Sequence, residues 1–86
     1  MKYPRHIWEQ IRGIKIEELQ RVLRKDGWVL DSQHSDSILL YYHPATRRRV
    51  ALHYHPGKTF PEKTLRGILE DIGWQIEDLI ALKLIR

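Results

Sequence analysis

The sequence predicts an α+β fold in which helices gather on one face of a three-stranded antiparallel sheet, and three observations carry that expectation. Apolar residues recur with helical spacing at both ends of the chain. Between them lie three short segments rich in β-branched and aromatic residues, separated by turn-forming strings. At 86 residues, 42% hydrophobic and 30% charged, the chain is long enough for one core and too short for two.

At the N-terminus, Ile7, Trp8, Ile11 and Ile14 fall on one side of a helix over residues 4–14, with Pro4 suited to its first turn. Gly13 interrupts. A second amphipathic run over 15–26 turns Ile16, Leu19, Val22 and Leu23 inward and Glu17, Glu18, Arg21, Arg24 and Lys25 outward. Spacing leaves open one bent helix or two, because an internal glycine costs only about 1 kcal/mol relative to alanine. Gly27 is a natural stop.

Strand-like segments follow at Trp28-Val29-Leu30, at 38–43 and at 49–54. The polar string over 31–37 is expected to be a loop, and Pro44-Ala45-Thr46-Arg47-Arg48 a short hairpin connection. In the third strand Val50, Leu52 and Tyr54 alternate with Ala51, His53 and His55, so the Val50 face should meet the helices and the His53 face should look outward. Thr59 and Glu62 have capping-box spacing and open a third helix, with Pro61 in its first turn and Leu65, Ile68, Leu69 and Ile72 as its inward stripe. Gly73 ends it. A short run over 76–82 and the tail Lys83-Leu84-Ile85-Arg86 complete the chain.

Composition narrows the function. The absence of cysteine excludes a disulfide-stapled scaffold, a thiolate zinc site and a cysteine nucleophile, and fits a reducing, cytoplasmic setting. The longest apolar run is Ile38-Leu39-Leu40-Tyr41-Tyr42, so neither a signal peptide nor a membrane span is expected. Fifteen basic against eleven acidic residues give a formal charge of +4, which allows a polyanionic partner without demanding one.

The most unusual string is His53-Tyr54-His55-Pro56-Gly57-Lys58. Two imidazoles on one strand face can chelate a metal, but a tight site needs further ligands from His34, His43 or a loop aspartate, and no metal is expected. They can also act as general acid and base on an RNA phosphodiester, with Lys58 or an arginine stabilising the phosphorane. A third reading makes them half-exposed strand residues near a turn. Arg47, Arg48 and Arg49, with Lys58, Lys63 and Arg66, form either a basic rim for a phosphate backbone or a solvated hairpin whose charges protect a sheet edge. Trp8, Trp28 and Trp74 read as core residues, and Asp31, Asp36 and Ser37 as loop polars. Glu17-Glu18 and Glu77-Asp78 read as first-turn residues of helices.

Glu18-Leu19 through Leu23 leading into Lys25-Asp26-Gly27-Trp28, then Tyr42-His43-Pro44, Arg49-Val50-Ala51-Leu52, His55-Pro56-Gly57-Lys58 and Thr64-Leu65-Arg66-Gly67-Ile68-Leu69 with Ile72-Gly73 stand in an order and spacing that resemble the HicA family of toxins from toxin–antitoxin modules. The resemblance runs over residues 15–76. It implies a double-stranded-RNA-binding-domain-like fold, α-β-β-β-α, with endoribonuclease activity on messenger RNA and no cofactor. It also implies a HicB-like antitoxin partner that covers the active face. On this reading the chain is one HicA-like domain over 1–86, with an N-terminal helical extension at 1–14 and a C-terminal extension at 75–86.

The family usually carries Gly-Ser-His at the start of the second strand, where this chain has Ser35-Asp36-Ser37, so Ser37 occupies the catalytic histidine's place. Lys63 likewise stands where a glycine is common. The His-Tyr-His-Pro string and the tail are similar to a divergent branch of the family. Two functions follow: a ribonuclease in which His53, His55 or the displaced His34 replaces the lost histidine, or a non-catalytic RNA- or protein-binding module on the same fold. A homodimer is left open.

Overall fold

The computed structural model describes residues 3–35, 38–53 and 57–86, the side chains of 32–35 excepted. Its elements run α1 (Arg5–Ile11), α2 (Ile16–Lys25), β1 (Val29–Ser35), β2 (Ile38–Tyr42), β3 (Arg49–His53), α3 (Glu62–Ile72) and α4 (Ile76–Ala81). The strands form one antiparallel sheet in the order β1-β2-β3. This is the α+β, α-β-β-β-α arrangement that the sequence predicts, with one further helix at each end.

The question of one helix or two is settled as two. α1 ends at Ile11, and residues 12–15 turn the chain before α2 begins. α2 carries Glu17 and Glu18 in its first turn and Arg24 and Lys25 in its last, each favourable to the helix dipole. Its C-terminus closes in a Schellman arrangement: the Trp28 N–H donates to the Leu23 carbonyl at 2.9 Å and the Gly27 N–H to Arg24 at 3.1 Å, with Gly27 at φ 97°. The left-handed φ is the physical reason a glycine stands there. Gly73 ends α3 in the same region at φ 81°.

The core is a single cluster drawn from every helix and from the inner face of the sheet. Ile16, Leu19, Val22 and Leu23 from α2 and Leu65, Ile68, Leu69 and Ile72 from α3 meet Leu39, Tyr41, Val50 and Leu52 from the strands. Trp8, Trp28 and Trp74 are all buried in it, as expected of core residues. So is Ile85 of the C-terminal tail, whose backbone is tied down by the Arg86 N–H donating to Gln10 Oε1 at 2.9 Å.

β3 shows the expected alternation, with Arg49, Ala51 and His53 exposed and Val50 and Leu52 buried. Tyr54, His55 and Pro56 lie outside the described residues, as do Asp36 and Ser37. Two expectations need correction. The polar string after Leu30 is not a loop: residues 31–35 continue β1 and pair with β2 through two register irregularities. Hydrogen bonds from the neighbouring strand, which no local pattern announces, override the weak strand preference of these residues. Nor do Thr59 and Glu62 form a capping box. The N-cap of α3 is Pro61, without a side-chain cap, and Thr59 instead makes an isolated antiparallel bridge with Lys15. A capping box does occur at Gln75 and Asp78, where it opens α4.

Candidate functional site

With one face of the sheet sealed by helices, the opposite face is the surface on which the chain's polar chemistry collects. β2 presents Ile38, Leu40 and Tyr42 there, half-buried, and β3 presents Arg49, Ala51 and His53. The register pairs Tyr42 with Arg49, Leu40 with Ala51 and Ile38 with His53. The face therefore has a charged end at Arg49, an apolar middle and an imidazole at the far end. Arg49 and His53 are four residues apart on one strand, about 13 Å at the usual rise.

At the first end, the Arg49 guanidinium lies 4.8 Å from the Tyr42 ring centroid, and its Nη1 is 2.7 Å from Asp31 Oδ2. Both partners of that ion pair are exposed, so it orients the arginine more than it stabilises the fold. Arg47 sits at the hairpin tip with φ 61°, its N–H donating to the His43 carbonyl at 2.8 Å.

The remaining arginines of the expected rim face elsewhere. Arg48 crosses to the end of α3, where Nη1 donates to the Asp71 carbonyl at 3.2 Å and the guanidinium packs against Gly73. A cation at a helix C-terminus is a stabilising role. Arg66 stacks over Trp8 at 4.5 Å from the ring centroid and pairs with Glu62, which places it beside α1. Lys63 is exposed in the first turn of α3. The structure thus brings Lys58 and His53 together, leaves Arg47 and Arg49 at the other end of the face, and gives Arg48 and Arg66 contacts within the fold.

His53 and Lys58 line a cleft of about 170 Å³ together with Ile16, Phe60, Pro61 and Thr64, with Thr59 completing its wall. The segment that forms this wall is pinned at two points. Thr59 bridges Lys15, and the Gly57 N–H donates to Glu17 Oε2 at 3.2 Å. Sequence reasoning misses this cleft, because Ile16 reads as core, Thr59 as a helix cap and Phe60 as nothing in particular. The one available signal is the pair of prolines that bracket 56–61. His55, Ser37 and the His34 side chain lie outside the described residues.

His43, weighed above as a metal ligand, is engaged at both ring nitrogens. The Thr46 N–H donates to Nδ1 at 3.3 Å, so Nε2 carries the proton that meets the Asp26 carbonyl at 2.9 Å. The ring also packs edge-on against Trp28 at 5.3 Å. Beside it, Asp26 Oδ2 accepts from both buried indoles, Trp74 Nε1 at 2.8 Å and Trp28 Nε1 at 3.2 Å. These residues join the end of α2 to the hairpin and to the segment before α4. Among the described residues no group of three or more histidine, aspartate or glutamate side chains is placed to hold a metal, and no helix is long and apolar enough to cross a membrane.

Comparison with curated proteins found no match. The family model described as HicA toxin of bacterial toxin–antitoxin matches residues 16–74, from the first residue of α2 to the tryptophan after α3. That span holds the whole sheet, the cleft beside His53 and both helices that seal the inner face, and the chain accordingly belongs to the HicA toxin family.

Proposed function

We propose that this HicA-family chain acts on RNA as a metal-independent endoribonuclease, and that a HicB-like antitoxin protein neutralises it by covering the outer face of the sheet. The observation that carries the reading is that the exposed His53 imidazole, on the outer face of β3, shares a cleft with the Lys58 ammonium. A neutral imidazole at this position can take the proton of a ribose 2′-hydroxyl as general base. The oxygen then attacks the adjacent phosphorus, and Lys58 stabilises the charge that develops on the phosphorane. The P–O5′ bond breaks, the 5′-oxygen leaves with a proton supplied by a second acid, and a cyclic phosphate remains. His55 and His34 are the candidates for that acid. Arg49, about 13 Å along the strand, and Arg47 beyond it at the hairpin tip are placed to meet the backbone two or three nucleotides away. Lys63, Arg48 and Arg66 complete the set of candidate RNA-binding cations, the last two after giving up contacts within the fold.

The presence of Ser37 at the family's catalytic position favours a second reading, a module that binds RNA and does not cut it. Incubating the protein with a labelled single-stranded RNA in EDTA, beside His53→Ala and the double variant His53→Ala/His55→Ala, separates the two. Cleavage by the wild type that His53→Ala loses by two orders of magnitude or more supports the nuclease. Undiminished cleavage by both variants removes His53 from the chemistry. Salt-sensitive binding without cleavage establishes the second reading.

A further inference from the structure

We propose that the cleft beside His53 is a base-recognition pocket that takes one pyrimidine ring of a single-stranded RNA. The inference rests on the RNA-directed reading above and adds to it the class of nucleotide selected. Size is the first argument. The cleft measures about 170 Å³, and a cavity of about 150 Å³ lined by aliphatic and aromatic side chains accepts a benzene ring. One six-membered ring with its exocyclic atoms matches that volume, and the bulk of a purine's fused second ring exceeds it, which is why a pyrimidine is the ring assigned.

Composition is the second argument. Ile16, which is 1% exposed, and the half-buried Phe60 with Pro61 supply an apolar wall. A flat ring placed there exchanges poorly solvated carbon surface for contact with carbon, which is how sequence-tolerant single-strand sites hold bases. The polar members of the lining are His53, Lys58, Thr59 and Thr64. With His53 and Lys58 committed to the phosphodiester, the Thr59 and Thr64 hydroxyls are the donors left for the carbonyl oxygens of uracil and cytosine.

The third argument is preorganisation. The wall of the cleft is held by the Lys15–Thr59 bridge and by the Glu17 carboxylate on the Gly57 N–H, so ordering it costs little when a ligand arrives. Because His53 belongs both to this lining and to the outer sheet face, a base seated in the cleft brings its own ribose and phosphate to the imidazole. Base choice and the site of attack are then coupled through one residue.

The test uses hexamers with 2′-O-methyl riboses, which cannot be cleaved: one of uridine, one of adenosine, and the uridine hexamer carrying a central abasic site. Binding to the intact protein is read by fluorescence anisotropy over a salt series. The uridine hexamer should bind about tenfold or more tighter than the abasic and adenosine hexamers. Thr64→Trp, which fills the cleft from an exposed helix position, should erase that preference while leaving the salt dependence intact, and Phe60→Ala should weaken it severalfold. Far-UV circular dichroism checks that both variants fold. Salt-dependent binding with no difference among the three hexamers overturns the pocket and leaves the RNA reading standing. A preference that survives Thr64→Trp also overturns it. No binding to any hexamer overturns the RNA reading and the pocket together.

Discussion

Asp26→Ala gives the sharpest test of how the fold is held around the sheet. One carboxylate oxygen accepts two indole N–H groups, Trp74 at 2.8 Å and Trp28 at 3.2 Å, and both rings are 3% exposed. The shorter bond, to a charged acceptor, contributes about 2 kcal/mol; the longer contributes about 1 kcal/mol, and the stranded donors have little water to turn to. Against this, Asp26 caps the C-terminus of α2, where a negative charge opposes the helix dipole, so removing it returns about 0.5 kcal/mol. The loss of hydrogen bonds wins, and the net destabilisation is about 2–3 kcal/mol. For a chain of this length that lowers the Tm by about 8–24 °C. Urea unfolding followed by far-UV circular dichroism measures it without relying on tryptophan emission. Asp26→Asn keeps an acceptor oxygen and should lose about half as much, about 1–1.5 kcal/mol. A double-mutant cycle of Asp26→Ala with Trp74→Phe should return a coupling of about 1.5–2 kcal/mol. A loss under 1 kcal/mol for Asp26→Ala, or equal losses for alanine and asparagine, would refute the reasoning and mean that the indoles find other partners.

Three further outcomes follow from local geometry. Lys83 closes α4 with φ 61°, while the Leu84 N–H bonds Leu79 and its own N–H bonds Ile80; Lys83→Gly should stabilise by about 0.5–1 kcal/mol in the same urea assay, since glycine accepts that region freely. At Gly73 an added Cβ would lie 2.8 Å from Arg48 Cζ at a φ of 81°. Gly73→Ala should therefore cost about 2 kcal/mol, falling to about 1 kcal/mol in an Arg48→Ala background where only the backbone strain remains. Burial first, and the Asp78 carboxylate second, push the Tyr3 hydroxyl up to about 12, and it donates to the Trp74 carbonyl at 2.8 Å. Because the folded value lies above the unfolded value near 10, this contribution is complete below pH 10 and is lost as pH rises toward 12; Tyr3→Phe should lack that alkaline loss in thermal melts.

By itself the sequence determined which residues lie inside. The helical stripe at Leu65, Ile68, Leu69 and Ile72, the alternation through Val50 and Leu52, the buried tryptophans and the glycine stops at 27 and 73 all follow from rules a segment obeys alone: period, burial of one side, and the φ only glycine adopts cheaply. The outward placement of His53 was legible for the same reason. What only the tertiary structure decided are the outcomes that need a second segment. Residues 31–35 became strand because β2 supplies their hydrogen bonds. Thr59 bridged Lys15 instead of capping α3, and that bridge makes the wall of the cleft. Arg48, indistinguishable from Arg47 and Arg49 in one basic run, and Arg66, one more exposed cation on α3, went to a helix end and to an indole face because long cationic side chains take whichever acceptor the fold brings within reach. A core position is fixed by the sign of its own transfer free energy, whereas a partner is fixed by which distant segments meet, and that information is written in no local window of the chain.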